Sequence, residues 1–369
     1  MNELDLTRFP ENPREQLRAW DAADEYLLRH LGGDLHGNVV VVGDRWGALV
    51  TALAAHRPTQ ITDSYLTQEA TRANLKRNGI GPDQVRLLST RDTPPDRVDV
   101  LLVRVPKSLA LLEDQLHRLA PAVREDTVVV GAGMVTEIHT STLRTFERVL
   151  GPTRTSLAER KARLIFCAPD PALPRTASPW PLTYALPDDV GDLSRRTVTN
   201  HAGIFCADRL DIGTRFLLRN LPQSRGPERI VDLGCGNGVV GLAMALRNPS
   251  AEVLFVDESY QALASAEATF AGNASSAARF VIGDALAGLE PGSADLVVTN
   301  PPFHSHRTTT DGTAWRMFTG SRTALRRGGE LWVIGNRHLG YHVKLRRVFG
   351  NCEVVAGDPK FVVLRSVRR

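Results

Sequence analysis

Cysteine is scarce. The chain has four in 369 residues, Cys167, Cys206, Cys235 and Cys352, and no two form a C-x-x-C pair. That argues against a disulfide framework or a structural zinc site and suits a reducing cytoplasm. Long apolar runs are absent as well. Nothing approaches the about 18 consecutive residues a membrane helix needs, and the start lacks the layout of a signal peptide. The expectation is a soluble, cytoplasmic, monomeric protein. Neither sign of charge dominates: 45 basic against 41 acidic residues leave +4 and a pI near 9.0. So mild an excess permits an RNA partner without requiring one, and any attraction must come from a local basic face. No metal is expected, because no third ligand of suitable spacing joins His304 and His306.

What is present is an alternation of apolar strands and amphipathic helices long enough for two domains. Its most informative stretch is Thr299-Asn300-Pro301-Pro302-Phe303-His304. Ala294 to Thr299 reads as a buried strand stopped by two prolines, which fix their own φ and push the preceding residues toward extended geometry. Asn300 and the Pro301 carbonyl are thus stiffly held acceptors at a strand's carboxyl end, where open α/β sheets bind ligands. With the flat face of Phe303 beside them, they suit a planar ring carrying an exocyclic NH2.

Upstream, Ile230-Val231-Asp232-Leu233-Gly234-Cys235-Gly236-Asn237-Gly238 is a strand followed by glycines at alternating positions, opening a helix from Val239 to Arg247. Gly234 and Gly236 let the backbone approach a ligand closely. A dinucleotide loop would look similar. Asp232, placed to accept near a cationic amino-acid group, and the downstream N-P-P-F favour S-adenosylmethionine. Asp257 ends the next strand, where ribose hydroxyls are bound, or caps the helix after it. Asp284 comes just past the third strand, Arg279 to Ile282, and is placed for an adenine amino group or a plain turn. Arg337, at the tip of the fifth strand, faces phosphate, a base or solvent.

The motifs Asp232 to Gly238, Val256-Asp257-Glu258-Ser259, Asn300 to His304 and Asn336-Arg337-His338-Leu339 resemble the bacterial ribosomal RNA guanine-N2 methyltransferases. The ending Phe349-Gly350-Asn351-Cys352 with Lys360 to Leu364 is similar to the large-subunit (23S) enzyme more than to its small-subunit relative. The resemblance implies tandem class I, Rossmann-like α/β domains, S-adenosylmethionine as cofactor and ribosomal RNA as partner. It places Asn300, Pro301 and Phe303 in catalysis and Asp232, Gly234, Gly236, Asp257, Asp284 and Asn300 around the cofactor. Pro302, Phe303, His304 and Arg337 fall to the substrate. The rival readings are a 16S rRNA enzyme, a protein glutamine methyltransferase and a non-catalytic RNA-binding protein.

The first half repeats the pattern in decayed form. With Gly43 set on Gly234, Gly236 corresponds to Arg45, and Val98 to Lys107 mirrors Ala294 to Phe303 with Arg104 in the place of Asn300. A domain of 1–175 should therefore bind no cofactor, and the resemblance implies RNA recognition and support. The catalytic domain is expected over 176–369. Six prolines between Ala168 and Pro187 mark the connection. Helices are expected over 14–30, 108–119 and from 313 to the Gly328-Gly329 pair, and a polar loop over 305–310.

Overall fold

The computed structural model describes the chain except for residues 2, 13, 14, 34, 224, 227 and 303–306, and the side chains of 307–311 are likewise not described. The chain divides into two compact units, Met1–Trp180 and Pro181–Arg369. The first extends past the proline-rich stretch's midpoint because its last residues are tied to one of its own helices. His117 Nδ1–H reaches the Thr176 carbonyl at 3.1 Å, Ser178 Oγ donates to Asp114 at 2.7 Å, and Trp180 Nε1 donates to Glu113 at 3.2 Å.

The first unit runs α1 (Ala22–Leu31), β1 (Val39–Val42), α2 (Ala48–Ala52), β2 (Thr59–Thr62), α3 (Tyr65–Arg77), β3 (Arg86–Ser89) and β4 (Val98–Arg104), followed by α4 (Leu109–Leu119), β5 (Val123–Met134), α5 (Thr140–Val149), β6 (Thr153–Thr155) and β7 (Ala162–Cys167). Its sheet order is β3-β2-β1-β4-β5-β7-β6. The all-valine β1 is buried along its whole length, as a central parallel strand covered on both faces must be.

The second unit opens with the antiparallel pair β8 (Leu182–Ala185) and β9 (Thr197–Asn200). It continues through α6 (Ile212–Arg219), β10 (Arg229–Leu233), α7 (Val239–Arg247), β11 (Glu252–Asp257), α8 (Tyr260–Ala271), β12 (Ala278–Ile282) and β13 (Ala294–Thr299), then α9 (Arg307–Ala324), β14 (Leu325–Asn336), α10 (Tyr341–Phe349), β15 (Glu353–Gly357) and β16 (Phe361–Val367). The order β12-β11-β10-β13-β14-β16-β15 matches the first sheet position for position.

The likeness extends to hydrogen bonds. Val42 pairs with Val103 in the first sheet as Leu233 pairs with Thr299 in the second, so Arg104 and Asn300 leave equivalent strand ends. Asp99 accepts the Asn38 N–H at 2.7 Å, and Asp295 accepts the Arg229 N–H at 2.7 Å. In both sheets the strand order reverses between the first and fourth parallel strands, and that crevice is where such folds place a ligand.

Three expected elements need correction. The first helix begins at Ala22, not near 14, because Asp21 caps it and forms a reciprocal capping box with Asp24; Leu17 lies outside the helix and exposed. The helix after Asn-Pro-Pro includes 307–310 and stops at Ala324, and Gly328-Gly329 falls within β14. The helix expected over 108–119 starts at Leu109, with Ser108 as its cap and Leu109 exposed in its first turn. The expected loop at 305–306 lies outside the described residues.

The crevice of the first unit is shut by charge. Arg104, 1% exposed, pairs with Asp24 at 2.6 Å and Asp21 at 2.8 Å and donates to the Ala132 carbonyl at 2.8 Å. Arg45 adds ion pairs to Asp21 and Glu137. A buried arginine is tolerable only while such partners answer it. Truncating it strands two carboxylates, so Arg104→Ala is expected to destabilise the first unit by about 3–5 kcal/mol. Urea unfolding of the full chain checks this; an unmoved midpoint would show that the cluster does not hold the crevice closed.

Candidate active site

In the second unit the same crevice is assembled from three strand ends. Leu233 of β10 stands level with Val256 of β11 and Thr299 of β13, bringing Gly234, Asp257 and Asn300 to one edge of the sheet. The Thr299 hydroxyl donates to the Leu233 carbonyl at 2.7 Å and ties two of these ends together. Gly234 and Cys235 both donate their N–H to the Val256 carbonyl, at 2.8 and 3.1 Å.

The loop needs its glycines for two different reasons. Gly238 has φ +78 and sits so close to α8 that an added Cβ would lie 2.8 Å from the Ala266 Cα. Gly236 has φ +54, yet an added Cβ there would meet no atom of the described residues within 4 Å, leaving open space over the loop among them. In the first unit Gly43, at the position of Gly234, sits so near Arg104 that an added Cβ would overlap the Arg104 carbonyl oxygen. At Gly234 itself an added Cβ would meet the flexible end of Met317, at 3.2 Å.

Asp257 braces this loop. One carboxylate oxygen accepts the Gly236 N–H at 3.0 Å and the other the Ser259 N–H at 3.0 Å. Burial pushes its pKa up against those bonds, which favour the anion. Each oxygen keeps acceptor capacity for a further donor.

Asp232 is placed differently from a ligand-facing acceptor. It is 3% exposed and takes the Gly241 N–H at 2.7 Å, supporting the first turn of α7 from behind the loop. Burial raises its pKa to about 8, with the Asp257 charge adding to the rise and the Gly241 bond opposing it. Asp284 is paired with Arg316 of α9 at 3.0 Å, so its carboxylate is already engaged.

Asn300 is held by one end only. Its Nδ2 donates to Thr214 Oγ1 of α6 at 3.1 Å, while its Oδ1 is buried with no hydrogen-bond partner among the described residues. Pro301 is buried and Pro302 exposed; Phe303 and His304 lie outside the described residues. Arg337 is exposed at the tip of β14, where its Nε donates to the Asp358 carbonyl. Sequence reasoning missed Thr214. Asp211 caps α6 through bonds local to 211–214, which say nothing of Asn300 eighty-six residues beyond Thr214. Among the described residues no group of three or more His, Cys, Asp or Glu side chains is arranged to hold a metal ion.

A seven-stranded sheet of this order, with a glycine turn at its switch point, is that of a class I methyltransferase. Comparison with known proteins agrees. The RLMG N-terminal domain family matches residues 1–171, and the methyltransferase small domain family matches 195–365. The ribosomal RNA large subunit methyltransferase G of Streptomyces avermitilis is 73% identical over 99% of this chain and 97% of its own length. The protein of the same name from Stutzerimonas stutzeri is 46% identical, with the same two coverages. A T. thermophilus 16S rRNA N2 methyltransferase, solved in complex with AdoMet and guanosine, aligns over 99% of this chain and 95% of its own with a TM-score of 0.76. At 22% identity that likeness speaks to the fold. The chain belongs to the ribosomal RNA large subunit methyltransferase G family.

The state of Asp232 has a measurable consequence. Folded, its carboxyl keeps a proton up to about pH 8, whereas unfolded it releases it near the ordinary 3.8. The folded state therefore binds more protons in that window, and this residue's contribution to stability falls as pH rises through it. Asp232→Asn stays neutral throughout. The difference in Tm between variant and wild type is expected to move in the variant's favour from pH 4 toward pH 8. A pH-independent difference would show the carboxyl to be ionised in the fold.

Proposed function

We propose that the chain transfers a methyl group from S-adenosylmethionine to the exocyclic N2 of a guanine in large-subunit ribosomal RNA. The observation that carries the chemistry is the unpartnered Asn300 Oδ1 beside Pro301 at the switch point. A buried acceptor without a donor is costly. An amine bound there would supply the missing N–H. The RNA assignment is supported by the family to which the chain belongs.

The residues present fit the cofactor. Open space over Gly236 and the spare acceptor capacity of Asp257 suit its ribose and amino-acid parts. Asp284, paired with Arg316 through one oxygen, would have the other for an adenine amino group. Asp232 acts behind the loop, as a support for its backbone. Bound S-adenosylmethionine supplies an electrophilic methyl on a sulfonium sulfur.

Asn300 and the Pro301 carbonyl accept the two amine hydrogens, which turns the nitrogen lone pair toward that methyl. The target base must leave its stack at a cost of a few kcal/mol, and stacking on Phe303 would return roughly 1–3 kcal/mol. By family resemblance Pro302, His304 and Arg337 are assigned to the RNA, with Arg337 exposed at the tip of β14 for phosphate. No strong base is needed, because the methylated ammonium is far more acidic than the amine it came from. Catalysis is then mostly alignment with fixed dipoles facing the nitrogen as it becomes positive. The first unit, its own crevice plugged by Arg104, serves RNA recognition and support. The enzyme works in the cytoplasm as a monomer.

Asn300→Ala is expected to lower the rate of tritiated methyl transfer to deproteinised 23S rRNA by about 100- to 1,000-fold. Mapping of the label identifies the nucleotide. Unchanged turnover would remove Asn300 from the mechanism, and label appearing on 16S rRNA alone would move the substrate to the other subunit.

A further inference from the structure

A side-chain amide is chemically two-faced: turned over, it offers a donor where it had offered an acceptor. The reaction proposed above needs the acceptor forward at Asn300. We infer that Asp211 and Thr214 are positioning residues that set this amide's orientation, and that the open acceptor they create selects an N–H-bearing nucleophile. The inference rests on the methyl-transfer reading but has its own test.

The relay is built from a helix cap. Asp211, the N-cap of α6, accepts the Thr214 N–H at 2.8 Å and the Thr214 hydroxyl at 3.2 Å on the same oxygen, Oδ2. The hydroxyl has one proton, and the carboxylate takes it. Thr214 Oγ1 is left with lone pairs only toward Asn300, so it accepts from Nδ2 at 3.1 Å. Oδ1 then points the other way, buried and without a partner among the described residues. A flipped amide would set Oδ1 against the Thr214 lone pairs and Nδ2 against the incoming amine. Both contacts would be repulsive.

Packing holds the helix that carries the relay. Phe216 of α6 stacks on Phe361 of β16, with ring centroids 6.4 Å apart and 27° between planes. Gly213 lies so near that an added Cβ would stand 3.2 Å from the Phe361 ring and 3.1 Å from Asp211 Oδ2. A side chain at 213 would make the Phe361 ring or the Asp211 carboxylate give by a few tenths of an ångström, at the cap that holds Thr214.

The first unit contains the same three positions with different chemistry. Asp21 is the N-cap of α1 and Asp24 its third residue, as Asp211 and Thr214 are in α6. Arg104 takes the place of Asn300 and binds both carboxylates. The constellation is therefore a property of the fold used twice. With arginine and two carboxylates it closes the crevice; with threonine and asparagine it leaves one acceptor open.

Two measurements on the full-length protein decide the matter. In methyl-transfer kinetics with deproteinised 23S rRNA, Thr214→Val is expected to lower kcat about tenfold, the worth of one oriented neutral hydrogen bond, with a smaller change in KM, and Thr214→Ser to restore most of it. Added to Asn300→Ala, Thr214→Val should cost nothing more, because it acts only through Asn300. An equal loss in both backgrounds would overturn the positioning role. The second readout needs no turnover. The Asn300 side-chain NH2 resonances, assigned by their loss in Asn300→Ala, should show one proton slowed in exchange with water, a protection lost in Thr214→Val and kept in Thr214→Ser. Resonances unmoved by Thr214→Val would overturn the relay even in an active enzyme. Failure of the wild type to methylate rRNA, with that protection present, would overturn the substrate reading and leave the relay standing.

Discussion

An amide oxygen, that of Asn300, kept without a donor among the described residues is the constraint on which the second unit's crevice depends. Burying such an acceptor unpaired costs on the order of 1–3 kcal/mol, and the chain meets that cost by committing several elements to Asn300. Thr299 is tied to β10, Pro301 stiffens the backbone on the far side of the amide, and α6 is packed on Phe361 so that Thr214 occupies the donor end. Remove the open acceptor and these devices have no shared purpose. Retain it, and the crevice between β10 and β13 is a place where a hydrogen-bond donor is missing.

The two sheets fill the same crevice in different ways. Strand order, the register between the first and fourth parallel strands, and even the aspartate that braces the strand start are common to both. Geometry alone therefore does not decide whether such a crevice takes a ligand. The difference lies in the residue at the end of the fourth parallel strand and in what the preceding helix offers it. A fully buried guanidinium demands counter-charges, and Asp21 and Asp24 supply them at hydrogen-bonding distance. Once paired, the cluster is hard to displace, because any ligand would have to break ion pairs in a low-dielectric site.

Residues whose task is local were legible in the sequence. The glycine turn, the aspartate after β11 and the Asn-Pro-Pro strand end each arise from backbone rules that act over a few positions, and the structure brings them to one edge. Partners distant in sequence were not legible. Asp232 was read as facing a ligand, but Gly241, nine residues on, takes its carboxylate into the helix turn behind the loop. Asp284 and Arg316 lie thirty-two residues apart, and Thr214 and Asn300 eighty-six. The errors at helix ends have a related cause. Apolar spacing suggested a helix from 14, but the reciprocal cap of Asp21 and Asp24 outweighs it, and that cap is itself part of the Arg104 cluster.

Why should the residue facing the amine be an amide held by a relayed carboxylate, when a carboxylate placed there directly would attract the developing charge more strongly? A bare carboxylate at 300 would carry a full charge into a dry crevice, with a desolvation penalty that favours protonation over ionisation. Protonated, it would be a donor pointing at a donor. Asn300 cannot take up a proton at any ordinary pH, so its acceptor character is permanent. The charge is instead kept at Asp211, on the cap of α6, where two donors from Thr214 already satisfy it. Hydrogen bonds arranged in series polarise one another. The negative charge on Asp211 thus strengthens Oδ1 of Asn300 through the Thr214 hydroxyl without any proton moving along the chain. On the methyl-transfer reading proposed above, the site would thereby gain the electrostatic benefit of a carboxylate at the reacting nitrogen while exposing only a neutral, correctly turned oxygen to it.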